Sequence, residues 1–168
     1  RELCAAHLEP VLDTLRWLVR EARVWTEITT LLIPGENDSD AELDALTGFV
    51  AEELGLHVPL HFSAFHPDWK MRDVPPTPVA TLRRARDLAL ANGLRYVFTG
   101  NVHDPEGQTT WCHACGARLV GRDGYTLTGW GLTEGGRCAA CGEACAGVFE
   151  TAPGAWGSRR MPVRLGSA

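Results

Sequence analysis

Val24-Trp25-Thr26-Glu27-Ile28-Thr29-Thr30-Leu31-Leu32-Ile33 runs without a break into Pro34-Gly35. The run is β-branched, nearly continuous and too short for a typical helix, so it reads as a strand flanked on both faces by other structure. Before it, Leu8, Val11, Leu12, Leu15, Leu18 and Val19 recur at helical spacing, with Pro10 in the first turn, which predicts an amphipathic helix over about 8–22. After it, Asp38, Ser39 or Asp40 caps a second helix with Leu43, Leu46, Phe49, Val50 and Leu54 on its apolar face and Gly55 at its end. A second strand is expected over 57–65. A third helix follows, capped by Thr77 and opened by Pro78, and Gly93 ends it before a third strand over 94–100. The order α-β-α-β-α-β, with helical connections, implies neighbouring parallel strands and right-handed crossovers.

Three such units do not close a barrel, and 168 residues fall short of the roughly 250 of a complete eight-unit one. The fold class expected is α/β: about three βα units over 1–104, forming either an open α/β layer or the second half of a (β/α) barrel, then a four-cysteine zinc-ribbon-like module over 105–150 and a flexible tail over 151–168. Parallel strands send their carboxyl ends to one rim, where ligands collect. Residues 34–38, 65–70 and 100–104 therefore converge, bringing His66, Asn101 and His103 to that rim. Strand alternation puts Glu27, Thr29 and Leu31 on one face and makes His61 and Ser63 a second inward set. The bland reading of these residues is structural: Glu27 pairs with a buried arginine or histidine, His61 bonds within the core, and His66 caps a turn. A hydrolytic metal site from His57, His61, His66, Asp68 and His103 has no specific spacing to support it.

The module carries the sharpest chemical signal. Cys112-His113-Ala114-Cys115-Gly116 and Cys138-Ala139-Ala140-Cys141-Gly142 are matched C-x-x-C-G knuckles joined by a glycine-rich segment able to return as a hairpin. Four thiolates meeting on one tetrahedral ion suit one structural zinc, and a single iron is chemically allowed. Four protein ligands leave no open coordination position on zinc for catalysis. His113 reads as a residue behind or beside the ligands. Cys4 reads as a small buried hydrophobe and Cys145 as a spare thiol.

Metal-type pairs point to a reducing, cytoplasmic setting rather than to disulfides. A formal charge of −5 and two short arginine clusters, Arg83, Arg84 and Arg86, then Arg159, Arg160 and Arg164, argue against nucleic acid as a partner. No stretch approaches the ~20 apolar residues of a membrane span. The start at Arg1 inside a helical pattern suggests a truncated beginning. No G-x-G-x-x-G, Walker, H-E-x-x-H or G-x-S-x-G motif is present.

Residues 24–37, VWTEITTLLIPGEN, then 60–72, LHFSAFHPDWKMR, then 77–101 and the paired knuckles together resemble the C-terminal half of the radical S-adenosylmethionine enzymes of the AmmeMemoRadiSam system. These are similar in turn to pyruvate formate-lyase activating enzymes. The resemblance covers about residues 8–150 and implies a partial (β/α)6 barrel with a zinc-ribbon-like extension. It implies that His66 matches a histidine that helps hold S-adenosylmethionine, and that Thr29 takes a cofactor-facing position where relatives carry a different residue type. The C-x-x-x-C-x-x-C loop that binds the [4Fe-4S] cluster in that family does not occur here. The resemblance thus implies a partner or missing half that carries the cluster, a chain inactive alone, and a protein substrate as one option. In a complete enzyme the reduced cluster would cleave S-adenosylmethionine to a hydrogen-abstracting radical. The competing reading is a non-enzymatic, metal-stabilised interaction module with Trp111, Tyr125 and Trp130 as contacts.

Overall fold

The computed structural model describes residues 4–149 and Pro153. The expected tail over 151–168 and the second arginine cluster lie outside the described residues, Pro153 apart. The chain divides into two compact units, 1–107 and 108–168.

In the first unit, helix α1 (Leu8–Arg16) continues as a π-helical turn over Trp17–Glu21, and strand β1 spans Ile28–Leu32. Helix α2 (Asp40–Phe49) continues as a π turn over Val50–Leu54, followed by β2 (Leu60–Ala64), α3 (Val79–Ala91), β3 (Val97–Gly100) and the short α4 (Pro105–Gln108). The sheet order is β1-β2-β3 and every pair is parallel, as the alternation of helix and strand requires. Ser39 is the cap of α2: its hydroxyl accepts the Glu42 N–H and donates to the Glu42 carboxylate.

Four expectations are corrected. The strands are shorter than their apolar runs: 24–27, 57–59 and 94–96 lie outside the strands, although Pro59 O still accepts the Ile28 N–H at 2.9 Å. Among the described residues, helices cover one face of the sheet. Two successive crossovers of the same hand between adjacent strands put α2 and α3 on the same side, so Leu32, Leu60, Phe62, Ala64 and Val97 join Leu43, Val50, Leu54, Leu82, Ala85 and Ala89 in one core. Thr29 and Leu31, facing the other way, stay exposed. Thr77 does not cap α3, whose cap is Pro78 without a side-chain bond. Cys4 is exposed, with no described core around it.

The second unit is an antiparallel sheet of β4 (Thr110–Trp111), β5 (Arg118–Asp123) and β6 (Thr126–Trp130). Gly124 and Tyr125 close the β5–β6 hairpin, and the positive φ of Gly124 (56°) suits such a two-residue turn. Its buried cluster is small: Leu119, Val120 and Leu132 with Cys112 and Cys138. The observed boundary, 107/108, lies three residues past the expected 104/105: Asp104, 1% exposed and bonded by Arg83 and Thr99, also accepts the Gly107 N–H, which ties 105–107 to the first unit.

Candidate functional site

The two knuckles are built alike. In the first, Cys112 N–H donates to Ala117 O (2.8 Å) and Gly116 N–H to Cys112 O (2.9 Å). In the second, Cys138 N–H donates to Glu143 O and Gly142 N–H to Cys138 O, both at 2.8 Å. Gly116 (φ 72°) and Gly142 (φ 78°) occupy the left-handed conformation that turns the chain back after the second cysteine. The hairpin and the Leu132–Cys138 bridge then bring the turns face to face.

All four sulfurs, those of Cys112, Cys115, Cys138 and Cys141, lie within 4.8 Å of one another. Cys112 Sγ approaches Cys141 Sγ at 3.6 Å and Cys115 Sγ approaches Cys138 Sγ at 3.7 Å. A tetrahedron with metal–sulfur bonds of about 2.3 Å has edges of about 3.8 Å. The donor set fits a tetrahedral metal such as zinc. Each first cysteine is buried and each second one exposed, so the site sits at the surface of its unit with half of its ligands rooted in the core.

Protons are shared unequally among the sulfurs. The Cys141 backbone N–H, followed by that of Ala140 and by the Cys141 and Cys115 thiols, brings the Cys138 thiol down to about 7 against the cost of burial. The Cys141 thiol is pushed up to about 12: the Glu143 N–H favours its thiolate, but the neighbouring thiols Cys115, Cys112 and Cys138 and burial outweigh it. Cys115 is raised as well, its Ala117 N–H bond likewise outweighed, so metal uptake must drive protons off at least these two sulfurs. Behind the ligands, His113 Nε2 lies 3.5 Å from Glu143 Oε1 and links one knuckle to the other. Glu143 was not singled out from sequence; its place one residue past Gly142 mirrors Ala117 past Gly116 and was readable there.

The first unit presents a second candidate place, the sheet face opposite the helices and the carboxyl rim. Register pairs Thr29 with His61 and His61 with Phe98, then Leu31 with Ser63 and Ser63 with Gly100. Glu27, Thr29 and Leu31 therefore share one face with His61 and Ser63 rather than forming a separate set. Glu27 Oε2 meets His61 Nε2 at 2.8 Å, its Oε1 accepts the Trp25 indole N–H at 3.0 Å, and the His61 ring stacks on Phe98. The pairing thus joins two surface residues of that face instead of a buried core pair. Trp25 and Phe98 were missed in sequence, although the i, i+2 spacing from Glu27 would have found Trp25.

At the rim, His66 is exposed and makes no side-chain hydrogen bond or ion pair with another described residue, while Phe65 before it is buried. Thr77 stitches the rim: its hydroxyl donates to Leu32 O and accepts the Phe65 N–H at 2.9 Å, joining the ends of β1 and β2. Asn37 accepts the Ile33 N–H and donates to Leu31 O, and Asn101, at φ 58°, donates to Ala64 O at 3.2 Å. Asn101 thus has a structural task at the end of β2. His103 is exposed at the same rim. The described residues contain no metal-ligand grouping that unites His57, His61, His66, Asp68 and His103; the four cysteines alone form one. Arg83, Arg84 and Arg86 are engaged by Asp104, by Asp40 with Asp38 O, and by Val97 O. None of the described helices is long and apolar enough to cross a membrane.

No protein-family model matches the chain, and no solved structure matches it. It is 46% identical over 144 residues to an uncharacterized protein of Methanocaldococcus jannaschii. The match covers 85% of this chain and 43% of that protein, so the chain spans less than half the length of this curated relative.

Proposed function

We propose that this chain is the C-terminal portion of a radical S-adenosylmethionine enzyme, catalytically incomplete without a half that carries the [4Fe-4S] cluster on C-x-x-x-C-x-x-C. The observation that carries the reading is a parallel three-stranded wall with helices packed on one side, whose other side carries Thr29, Leu31, His61 and Ser63 with no described helix over it. Such a wall has the form of a barrel segment awaiting its remaining strands. A relative more than twice as long as the matched region supports it.

The residues here do not fit a cluster, since the cysteines form one tetrahedral set. The cluster and S-adenosylmethionine supply the hydrogen-abstracting chemistry when bound elsewhere in the enzyme. In this chain His66, with its backbone held between buried Phe65 and the Thr77 tie, offers a free imidazole to the cofactor from the rim. Thr29 and the Glu27–His61 pair line the wall. The four cysteines hold one structural zinc, and the setting is the reducing cytoplasm.

The test is anaerobic coexpression with a candidate partner bearing the C-x-x-x-C-x-x-C loop. The expected result is a brown complex with cluster absorbance that binds S-adenosylmethionine, with affinity weakened at least tenfold by His66→Ala. If the recovered complex holds no iron–sulfur cluster and neither it nor the isolated chain binds S-adenosylmethionine, the reading gives way to that of a metal-stabilised interaction module. The exposed Tyr125 at the hairpin tip would then be the first contact residue to probe.

A further inference from the structure

Of the four clustered sulfurs, two belong to exposed residues and two to buried ones. Cys115 and Cys141 are exposed, whereas Cys112 and Cys138 are only 3% and 2% exposed. Each exposed cysteine places its sulfur against the buried sulfur of the opposite knuckle: Cys141 Sγ is 3.6 Å from Cys112 Sγ, and Cys115 Sγ is 3.7 Å from Cys138 Sγ. The site is therefore two matched pairs, each with one cysteine that an oxidant reaches from solvent and a shielded one beside it. A bound metal keeps its sulfur ligands as thiolates, the form that attacks an oxidant.

We propose that Cys112–Cys141 and Cys115–Cys138 are two dithiol pairs oxidised by hydroperoxides, and that the resulting disulfides replace the metal as the staple of the second unit. The exposed thiolate of a pair attacks one peroxide oxygen; the O–O bond breaks, the sulfur becomes a sulfenic acid and the other oxygen leaves as hydroxide. The buried thiolate then attacks that sulfenic sulfur, forming the S–S bond and releasing a second hydroxide. Two thiolates lose two electrons and one hydroperoxide gains them. Disulfide sulfurs lie about 2.05 Å apart, so each sulfur of a pair has only about 0.8 Å to move. A resolving thiolate already in contact stops the oxidation at the disulfide, short of the sulfinic acid.

Connectivity decides the consequence. One disulfide leaves half the donor set of a tetrahedral site, too few ligands to retain the ion, and the second pair is then free to close. A bond within either knuckle would tie that turn only to itself. The cross-knuckle bonds span 29 and 23 positions and join the same two turns that the ion joins, so the oxidised unit keeps its fold. Cys145 packs against the same small core and is the competing thiol. The proposal rests on the four-cysteine site and not on a cluster-bearing half.

The test uses the full chain with its metal bound and hydrogen peroxide as the probe. About two equivalents of peroxide are expected to release all of the metal to a chromogenic chelator. Peptide mapping after alkylation should find Cys112 joined to Cys141 and Cys115 to Cys138. Residues 108–149 of the oxidised chain should resist protease to within about twofold of the metal-bound form, whereas chelation under reducing conditions exposes them. Cys4→Ser with Cys145→Ser, which spares all four clustered cysteines, should give the same map; if that variant does not fold, the map of the unaltered chain decides. Metal retained at about ten equivalents of peroxide, disulfides within a knuckle or to Cys145, sulfinic acid as the main product, or an oxidised unit as protease-sensitive as the chelated one would each overturn the proposal. No iron–sulfur cluster and no S-adenosylmethionine enter this experiment, so its failure leaves the coexpression result standing, and the converse also holds.

Discussion

The α/β unit and the four-cysteine unit solve the same problem with different means. The first buries thirteen apolar side chains in one cluster between a sheet face and its helices. Among its described residues the second buries three, Leu119, Val120 and Leu132, together with two of the four clustered cysteines, Cys112 and Cys138. A cluster that small supplies little hydrophobic stabilisation against the entropy of ordering its loops. An ion held by the four cysteines would replace what the missing core lacks, whereas the larger unit has a core to stand on.

The strongest way to break this contrast is to remove the metal. Structural zinc contributes about 10–16 kcal/mol in small peptide sites, so chelation, or Cys138→Ser, is expected to expose residues 108–149 to protease. Amide protection across β1, β2 and β3 should persist. Simultaneous loss of both units would refute the division.

Next in size is the converse experiment. Phe62 is fully buried in the α/β core, and Phe62→Ala should cost that unit about 3–5 kcal/mol. Urea denaturation should show the shifted midpoint, while elemental analysis finds metal content unchanged.

A smaller change sharpens the picture of the rim. Thr77→Val keeps the volume but strands the buried Phe65 N–H and Leu32 O, for about 1–3 kcal/mol. Faster hydrogen exchange in residues 65–77 is the expected signature; unchanged exchange would mean that Thr77 does not tie the strands.

Acid should distinguish the units by a modest margin. The Arg83 hydrogen bond, then the Thr99 bond and the charge of Arg83, hold the Asp104 carboxyl below the usual carboxylate range in spite of its burial. The proton therefore binds the unfolded chain more tightly. The stability gained is complete above about pH 4, the unfolded value, and disappears as pH falls through the lower folded one. With Arg83 largely in solvent, Asp104→Asn should cost about 1 kcal/mol and flatten only this acid limb. The metal unit should weaken from a higher pH. Cys115 and Cys141 release protons on metal uptake throughout the neutral range, and below about 7 Cys138 must do so too, which steepens the loss. Metal retention and α/β unfolding followed across one pH series would show two separate limbs, or one if the units are coupled.

Much of the molecule was legible in residue order. Helical spacing located α1, α2 and α3, Gly55 and Gly93 marked helix ends, and C-x-x-C-G named all four ligand positions. These are local properties, fixed by neighbours a few positions away. The misreadings share a different origin. The run at 24–33 looked covered on both sides because hydrophobicity alone does not say where helices will lie, and Thr77 looked like a cap because its true partners, Leu32 and Phe65, stand 45 and 12 positions away.

Sequence by itself settled where the three long helices and the three parallel strands lie and which sulfurs can share an ion, since period and spacing are enforced within a few bonds. Tertiary structure alone decided that the helices cover one side of the sheet, that Glu27 meets His61 across 34 positions, and that Asn101 closes the end of β2. The reason is that strand register and crossover hand act between distant segments, where only the folded chain brings the groups within reach.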